Sequence, residues 1–207
     1  MIAMLKTNIK TPSPAEVEKY VKRWNTLENY ALQENALDKL FFEVCKDNKD
    51  INNILIKCSA LNDFYSTNIF SIFTVAKHIY TLNIDERLKS GDLSLVNDIA
   101  SVNINGTSRY FYSFASKYCS HHNPESFAIY DSYVEKCLIF FNKRDHFSVF
   151  RKDDLKDYLI FNKVLIDFKS FYKLGDYNLK EIDKYLWQLG KIHFPNRYGK
   201  KNKNRQY

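Results

Sequence analysis

Three side chains in the middle of this chain are of types that do chemistry: the carboxylate of Asp131, the amine of Lys117 and the guanidinium of Arg109. Asp131 stands between Tyr130 and Ser132 at the start of an apolar helical pattern. Ser132 and Glu135 have the spacing of a capping box, which would leave Asp131 just outside the cap with a free carboxylate. The competing reading makes Asp131 itself the N-cap, the commonest use of an aspartate there. Apolar neighbours raise the pKa of such a carboxyl and a helix N-terminus lowers it. A free carboxylate here can stabilise developing positive charge or orient a water.

Upstream, Asn105 and Gly106 precede Thr107, Ser108 and Arg109. The pattern around them predicts two helices joined by a tight hairpin, in which Gly106 supplies a positive φ. The amides of Thr107, Ser108 and Arg109 then lie unpaired at a helix start, where backbone N–H groups and the helix dipole hold phosphate. Arg109 adds a charge-assisted contact. No acid occurs between Asp98 and Glu125, so nothing local repels a polyanion. The alternative is an ordinary αα-hairpin with a Thr or Ser cap.

The remaining candidates each have a plainer reading. Lys117 is an amine nucleophile or an exposed helical lysine, and its placement with Tyr110 and Ser113, opposite the apolar face, points to exposure. His121 and His122 are ligands or base contacts, but with no third ligand they read as a polar loop. Phe64 and Tyr65, in a polar turn, are wedges for a base stack or core aromatics. The tail at 195–207 carries Arg197, Lys200, Lys201, Lys203 and Arg205 and no acid, which suits phosphate or a solvated terminus.

Taken together, Ile104 to Ser108 and Ile129 to Val134 resemble the core of the helix-hairpin-helix DNA glycosylase superfamily, whose members carry a Gly-rich hairpin and, roughly twenty residues on, an Asp opening a helix. The resemblance covers about residues 55–142, reaching back to a polar turn at 61–67. It departs from the family pattern in having one Gly, no Pro, and Tyr133 where the acid's His partner stands. It implies an all-α, two-lobed fold with a cleft, acting on double-stranded DNA that contains a modified base. It assigns Asp131 as the catalytic acid. It makes Asn105, Gly106, Thr107, Ser108 and Arg109 backbone clamps, and places Phe64, Tyr65, Tyr110 and Tyr133 at the base pocket or wedge. Lyase-capable members use a Lys, and the matching position here is Tyr110. The expectation is therefore a monofunctional glycosylase, with Lys117, seven residues further along its helix, as the alternative nucleophile. A non-catalytic helix-hairpin-helix DNA-binding module is the alternative function. No redox cofactor or catalytic metal is implied, and the family allows a monovalent cation at the hairpin carbonyls. A monomer is expected.

The scaffold for these residues is legible in outline. The 207 residues suffice for one domain, with the hairpin core at about 92–142. Apolar content of 45% and charged content of 27% are those of a soluble globular chain, and exclude a disordered one. A net charge of +7 suits a polyanion partner or an ordinary Lys-rich surface. No apolar run approaches a membrane span and no signal peptide is seen. Cysteines 45, 58, 119 and 137 are too scattered for a zinc or iron–sulfur loop, and read as reduced, buried residues of a cytoplasmic protein. Periodicity predicts helices over 14–24, 27–45 and 51–63. A further helix should start near Ser66 or Thr67 with Ile69, Ile72, Phe73, Ala76 and Tyr80 buried. Others should start near Asp92 and, directly after the hairpin, near Thr107, burying Phe111, Phe114, Ala115, Tyr118 and Cys119, then run from Asp131, over 153–173 and over 178–190. No strand is expected.

Overall fold

The computed structural model describes residues 9–195, so the basic tail's cations and most of the expected lead-in lie outside the described residues. The lead-in's last residues are tied down: Ile9 is buried, and its carbonyl accepts from Arg144 Nη1 at 2.9 Å.

Helix α1 (Pro14–Trp24) opens as the sequence requires, with Ser13 Oγ accepting from the Glu16 amide and Pro14 at the first position. Helix α2 (Glu28–Lys39) runs into a π-helical turn, Leu40–Val44. Helix α3 (Ile51–Phe64) is capped by Asp50, and α4 (Ile72–Leu82) follows. Short helices α5 (Asp85–Ser90) and α6 (Leu95–Ala100) lead to strands β1 (Ser101–Ile104) and β2 (Thr107–Tyr110). Then come α7 (Tyr112–His122), α8 (Ser132–Asp145), a 3₁₀ turn Lys152–Lys156, α9 (Tyr158–Phe171) and α10 (Leu179–His193). Helix α10 packs on both α8 and α1, bringing the first and last described helices together, while α7 packs on α3 and α6. The fold is thus mainly helical. Among the described residues no helix is long and apolar enough to cross a membrane.

Three expectations are corrected. The segment around Gly106 is an antiparallel β-hairpin rather than a helix–helix turn, with Val102 opposite Arg109 and Ile104 opposite Thr107. Asn105 and Gly106 both have positive φ, 50° and 79°, the geometry of the two-residue hairpin turn that Asn-Gly favours. Asn103 Oδ1 locks it by accepting from the Gly106 amide at 2.8 Å. The amides of Thr107, Ser108 and Arg109 therefore belong to a strand, and the following helix starts only at Tyr112. The ground for a cation held by helix-hairpin-helix carbonyls falls with that geometry. Second, α4 begins at Ile72 and buries Val75, Ala76 and Ile79, leaving Phe73 and Tyr80 exposed. Third, the Ser132–Glu135 capping box does not form. Asp131 is the N-cap of α8, and buried Glu135 instead accepts from the Tyr130 hydroxyl and from Lys156 Nζ at 3.0 Å.

Candidate functional site

Helix α7 has no solvent face. Tyr112, Phe114, Ala115, Ser116, Lys117, Tyr118, Cys119, Ser120 and His121 are all buried. Ser113, Ser116 and Ser120 make one side of it narrow, and two of these serines grip the segment ahead of α8. Ser116 Oγ accepts from the Tyr130 amide at 3.0 Å, and Ser113 Oγ donates to the Tyr130 carbonyl at 3.1 Å. The next residue is Asp131, so two α7 hydroxyls set where its carboxylate sits. Asp131 Oδ1 accepts from the Tyr133 amide at 2.8 Å, and Oδ2 is left facing Lys117 Nζ at 3.8 Å.

Lys117 is thus the main revision to the sequence reading: its side chain is 3% exposed. Its Nζ donates to Ser113 Oγ at 2.6 Å and to the Tyr130 carbonyl at 3.3 Å, and lies 5.0 Å from the centre of the Tyr65 ring. Burial lowers the amine's pKa against the opposing pull of the Asp131 and Asp183 charges. A buried amine depressed in this way is the usual route to a nucleophilic lysine.

Buried lysines are not reactive as a class, and this chain holds its own comparison. Lys57, fully buried, donates to the Asp47 carbonyl and to Asn48 Oδ1, each at 2.8 Å, and lies 3.1 Å from His122 Nε2. All of its donor capacity is spent inside the core, away from either cavity. Lys117 makes two hydrogen bonds and opens onto two cavities at once. One, of about 450 Å³, is walled by Trp24, Tyr30, Phe64, Tyr65, Tyr133 and Trp187. The other is a wider groove, lined by residues including Thr67, Ile69, Tyr110, Tyr112 and Lys156. Lys117, Asp131, Tyr65, Ser66 and Ser132 line both, so the amine and the carboxylate sit on the seam between an aromatic chamber and an open channel.

The chamber's far wall is a cluster of rings, with Tyr30 and Trp187 edge-on at 5.0 Å and Trp24 and Trp187 at 5.7 Å. Lys191 lies over Trp187 and Lys184 over Trp24. Glu34 pairs with Lys184 at 2.8 Å and with Lys180 at 3.5 Å. Asp183, on α10, also lines the chamber; its Oδ1 is buried with no protein hydrogen-bond partner. Burial and the Asp131 charge push the Asp183 carboxyl up to about 7.

The other sequence candidates divide. Tyr133 stands in the chamber wall, edge-on to Trp187, and Tyr110 flanks the groove, stacked on Tyr112. Phe64 and Tyr65 are chamber walls rather than projecting wedges: Phe64 packs on the core, and the Tyr65 hydroxyl is 2.9 Å from His121 Nε2. His121 and His122 are not a polar loop but the buried and half-buried last turn of α7, and burial lowers His121 to about 3. Asn105, Gly106, Thr107, Ser108 and Arg109 are exposed at the hairpin and line neither cavity.

Sequence reasoning missed Trp24, Tyr30, Asp183 and Trp187. The chain has two tryptophans, and both line the chamber. Asp183 falls four residues after Leu179 and three before Leu186, an acid on an apolar helix face, which was the available signal. Among the described residues no group of three or more His, Cys, Asp or Glu is placed to hold a metal ion.

No solved structure matches the chain. It is 54% identical over 160 residues to a Haemophilus influenzae protein carried as "Uncharacterized protein", a match spanning 77% of this chain and 72% of that one. Residues 16–126, which include Lys117 and end before Asp131, match the family model HI_0787_N, described as an N-terminal domain. With more than half of its length matched, the chain belongs to the HI_0787_N family.

Proposed function

We propose that this protein is a DNA glycosylase that takes a modified base into the aromatic chamber and attacks its sugar with Lys117. The observation that carries the reading is the position of Lys117 and Asp131 on the seam of the two cavities. A flipped nucleotide has the same two-part shape, a flat base joined through its sugar to a strand that stays outside. The base would lie among Trp24, Tyr30 and Trp187, and the strand would follow the groove past Tyr110. The cleft expected between two lobes corresponds in this reading to the chamber and groove together.

The chemistry follows from the two groups. Neutral Lys117 Nζ adds to C1′ as the bond from C1′ to the base breaks, and the base leaves with the bonding pair and takes up a proton. The Asp131 carboxylate opposes the positive charge that builds on the sugar. Its orientation is fixed in advance by the cap bond to the Tyr133 amide. Ring opening of the C1′ adduct gives a protonated Schiff base. Loss of a C2′ proton then expels the 3′ phosphate, and water frees the lysine. The expectation of a monofunctional enzyme rested on Tyr110 at the family's lysine position and on Lys117, seven residues further along, being too far from the chemistry. With Lys117 buried beside Asp131, base release coupled to strand cleavage is the better-supported outcome.

The test is a panel of duplexes carrying oxidised or alkylated bases, scored for free base and for strand breaks before alkali treatment. The wild-type chain should give both from one substrate, Lys117→Met neither, and Asp131→Asn at most a small fraction. Base release that persists in Lys117→Met would remove the lysine from the mechanism and restore the monofunctional reading.

A further inference from the structure

Between α3 and α4 the chain makes a short loop whose last residue, Phe70, is 98% exposed. Directly before an N-cap, an apolar residue usually folds back as a staple on the fourth helical residue. Here that residue is Val75, fully buried, and Phe70 does not cover it. Nor does the loop lack structure of its own. Asn62 Oδ1 accepts from the Ile69 amide at 2.9 Å and from Thr67 Oγ1 at 2.7 Å, while Asn62 Nδ2 donates to the Ile69 carbonyl at 3.1 Å. Ser66 and Asn68 are both held at positive φ, 48° and 56°. A single asparagine side chain therefore pins the loop from within, and the pinned loop holds a bare phenyl ring in water.

The loop's location gives that ring a use. Ser66, Thr67 and Ile69 line the groove beside Lys117 and Asp131, and Phe70 follows at once. Further along α4, Phe73, Lys77 and Tyr80 are exposed at helical spacing, which continues an aromatic face broken by one cation. Aromatic faces alternating with cations are suited to bases and phosphates.

We infer that Phe70 inserts into the base stack of duplex DNA and fills the gap left by the nucleotide whose base enters the chamber. The inference rests on the proposed function. It moves the wedge from Phe64 and Tyr65, which are walls, to an aromatic loop residue that none of the described residues covers. An apolar side chain driven between base steps offsets the cost of unstacking them. It matters only where there is a stack to fill.

The test uses the full chain and one probe, an oligonucleotide with a natural aldehydic abasic site and 2-aminopurine as its 3′ neighbour, as duplex and as single strand. Phe70→Ala should cleave the duplex about tenfold more slowly, the scale of one lost aromatic–base stack. It should cleave the single strand at the wild-type rate, lose the 2-aminopurine response seen with the wild type, and recover both in Phe70→Trp. Full exposure predicts an unchanged urea midpoint for Phe70→Ala. Equal duplex rates for wild type and Phe70→Ala, or equal slowing on both substrates, would overturn the wedge while leaving the Lys117 chemistry in place. A wild type that cleaves neither substrate would overturn the proposed function and the wedge with it.

Discussion

Replacing each buried lysine with methionine should separate a reactive amine from a structural one. Met keeps most of the aliphatic stem and removes the charge and the donors. At Lys117 the loss leaves no acceptor stranded: the Tyr130 carbonyl still accepts from Ser113 Oγ at 3.1 Å, and Ser113 keeps its donor role. The variant also removes a buried charge whose ion pair, at 3.8 Å, is too long for a good hydrogen bond. Losing one partner of an ion pair is costly when the other is left as a buried, unpaired charge. Asp131 is 22% exposed and keeps its bond to the Tyr133 amide, so Lys117→Met should be about as stable as the wild type. At Lys57 the Asp47 carbonyl loses its donor, and Asp85, which accepts from Asn48 in the same network, loses a nearby cation. An acceptor left unpaired in the interior costs ~1–3 kcal/mol, so Lys57→Met should be destabilised by about that amount. Urea unfolding at pH 7 measures both. Equal losses in the two variants would refute the distinction and return Lys117 to the scaffold.

Other outcomes follow from the same geometry. A Cβ on Gly190 would stand 2.6 Å from the Tyr133 carbonyl oxygen, so Gly190→Ala should force α8 away from α10. It should cost about 1–3 kcal/mol in urea unfolding and lower base release by moving Asp131. Burial raises the Asp183 carboxyl from its ordinary 3.8 to about 7 in the folded protein, so folding is favoured while the carboxyl is protonated and that advantage is lost as pH rises between the two. Asp183→Asn should therefore gain in Tm relative to wild type from pH 4 to pH 8, and a constant difference would contradict the buried acid. Arg109, exposed on β2 with no acid in the segment around it, should contact phosphate. Arg109→Glu should weaken binding to duplexes of any sequence and lower the salt slope by about one.

Most helices were legible from their apolar periods, with Ser13 and Pro14 marking the first start; the caps at Asp50 and at Asn178 with Glu181 agree with those periods in the structure. The β-hairpin was written in Asn105 and Gly106. It was hidden by the helical period of Leu93, Val96, Ile99 and Ala100, which invites extending the helix up to the turn, over what is strand β1. Lys117 was misplaced for a different reason. Amphipathic reasoning assigns a helix one wet face, and α7 is enclosed on every side, so the face opposite Phe114 and Tyr118 opens into a cavity rather than to bulk water. Asp131 was found by its position, and its two readings proved compatible, since one oxygen caps α8 while the other faces the amine. The chamber's tryptophans come from α1 and α10, at opposite ends of the chain, and only the packing of those helices joins them.

The central claim is that the Lys117 amine bonds to C1′ of a DNA sugar. Sodium borohydride reduces a Schiff base to a stable secondary amine, so the direct measurement is trapping on an abasic duplex followed by peptide mass mapping of the adduct. The account predicts a protein–DNA adduct at Lys117, absent in Lys117→Met and still formed by Lys57→Met. An adduct mapped to another lysine, or none under conditions where the wild type cleaves the strand, would contradict it.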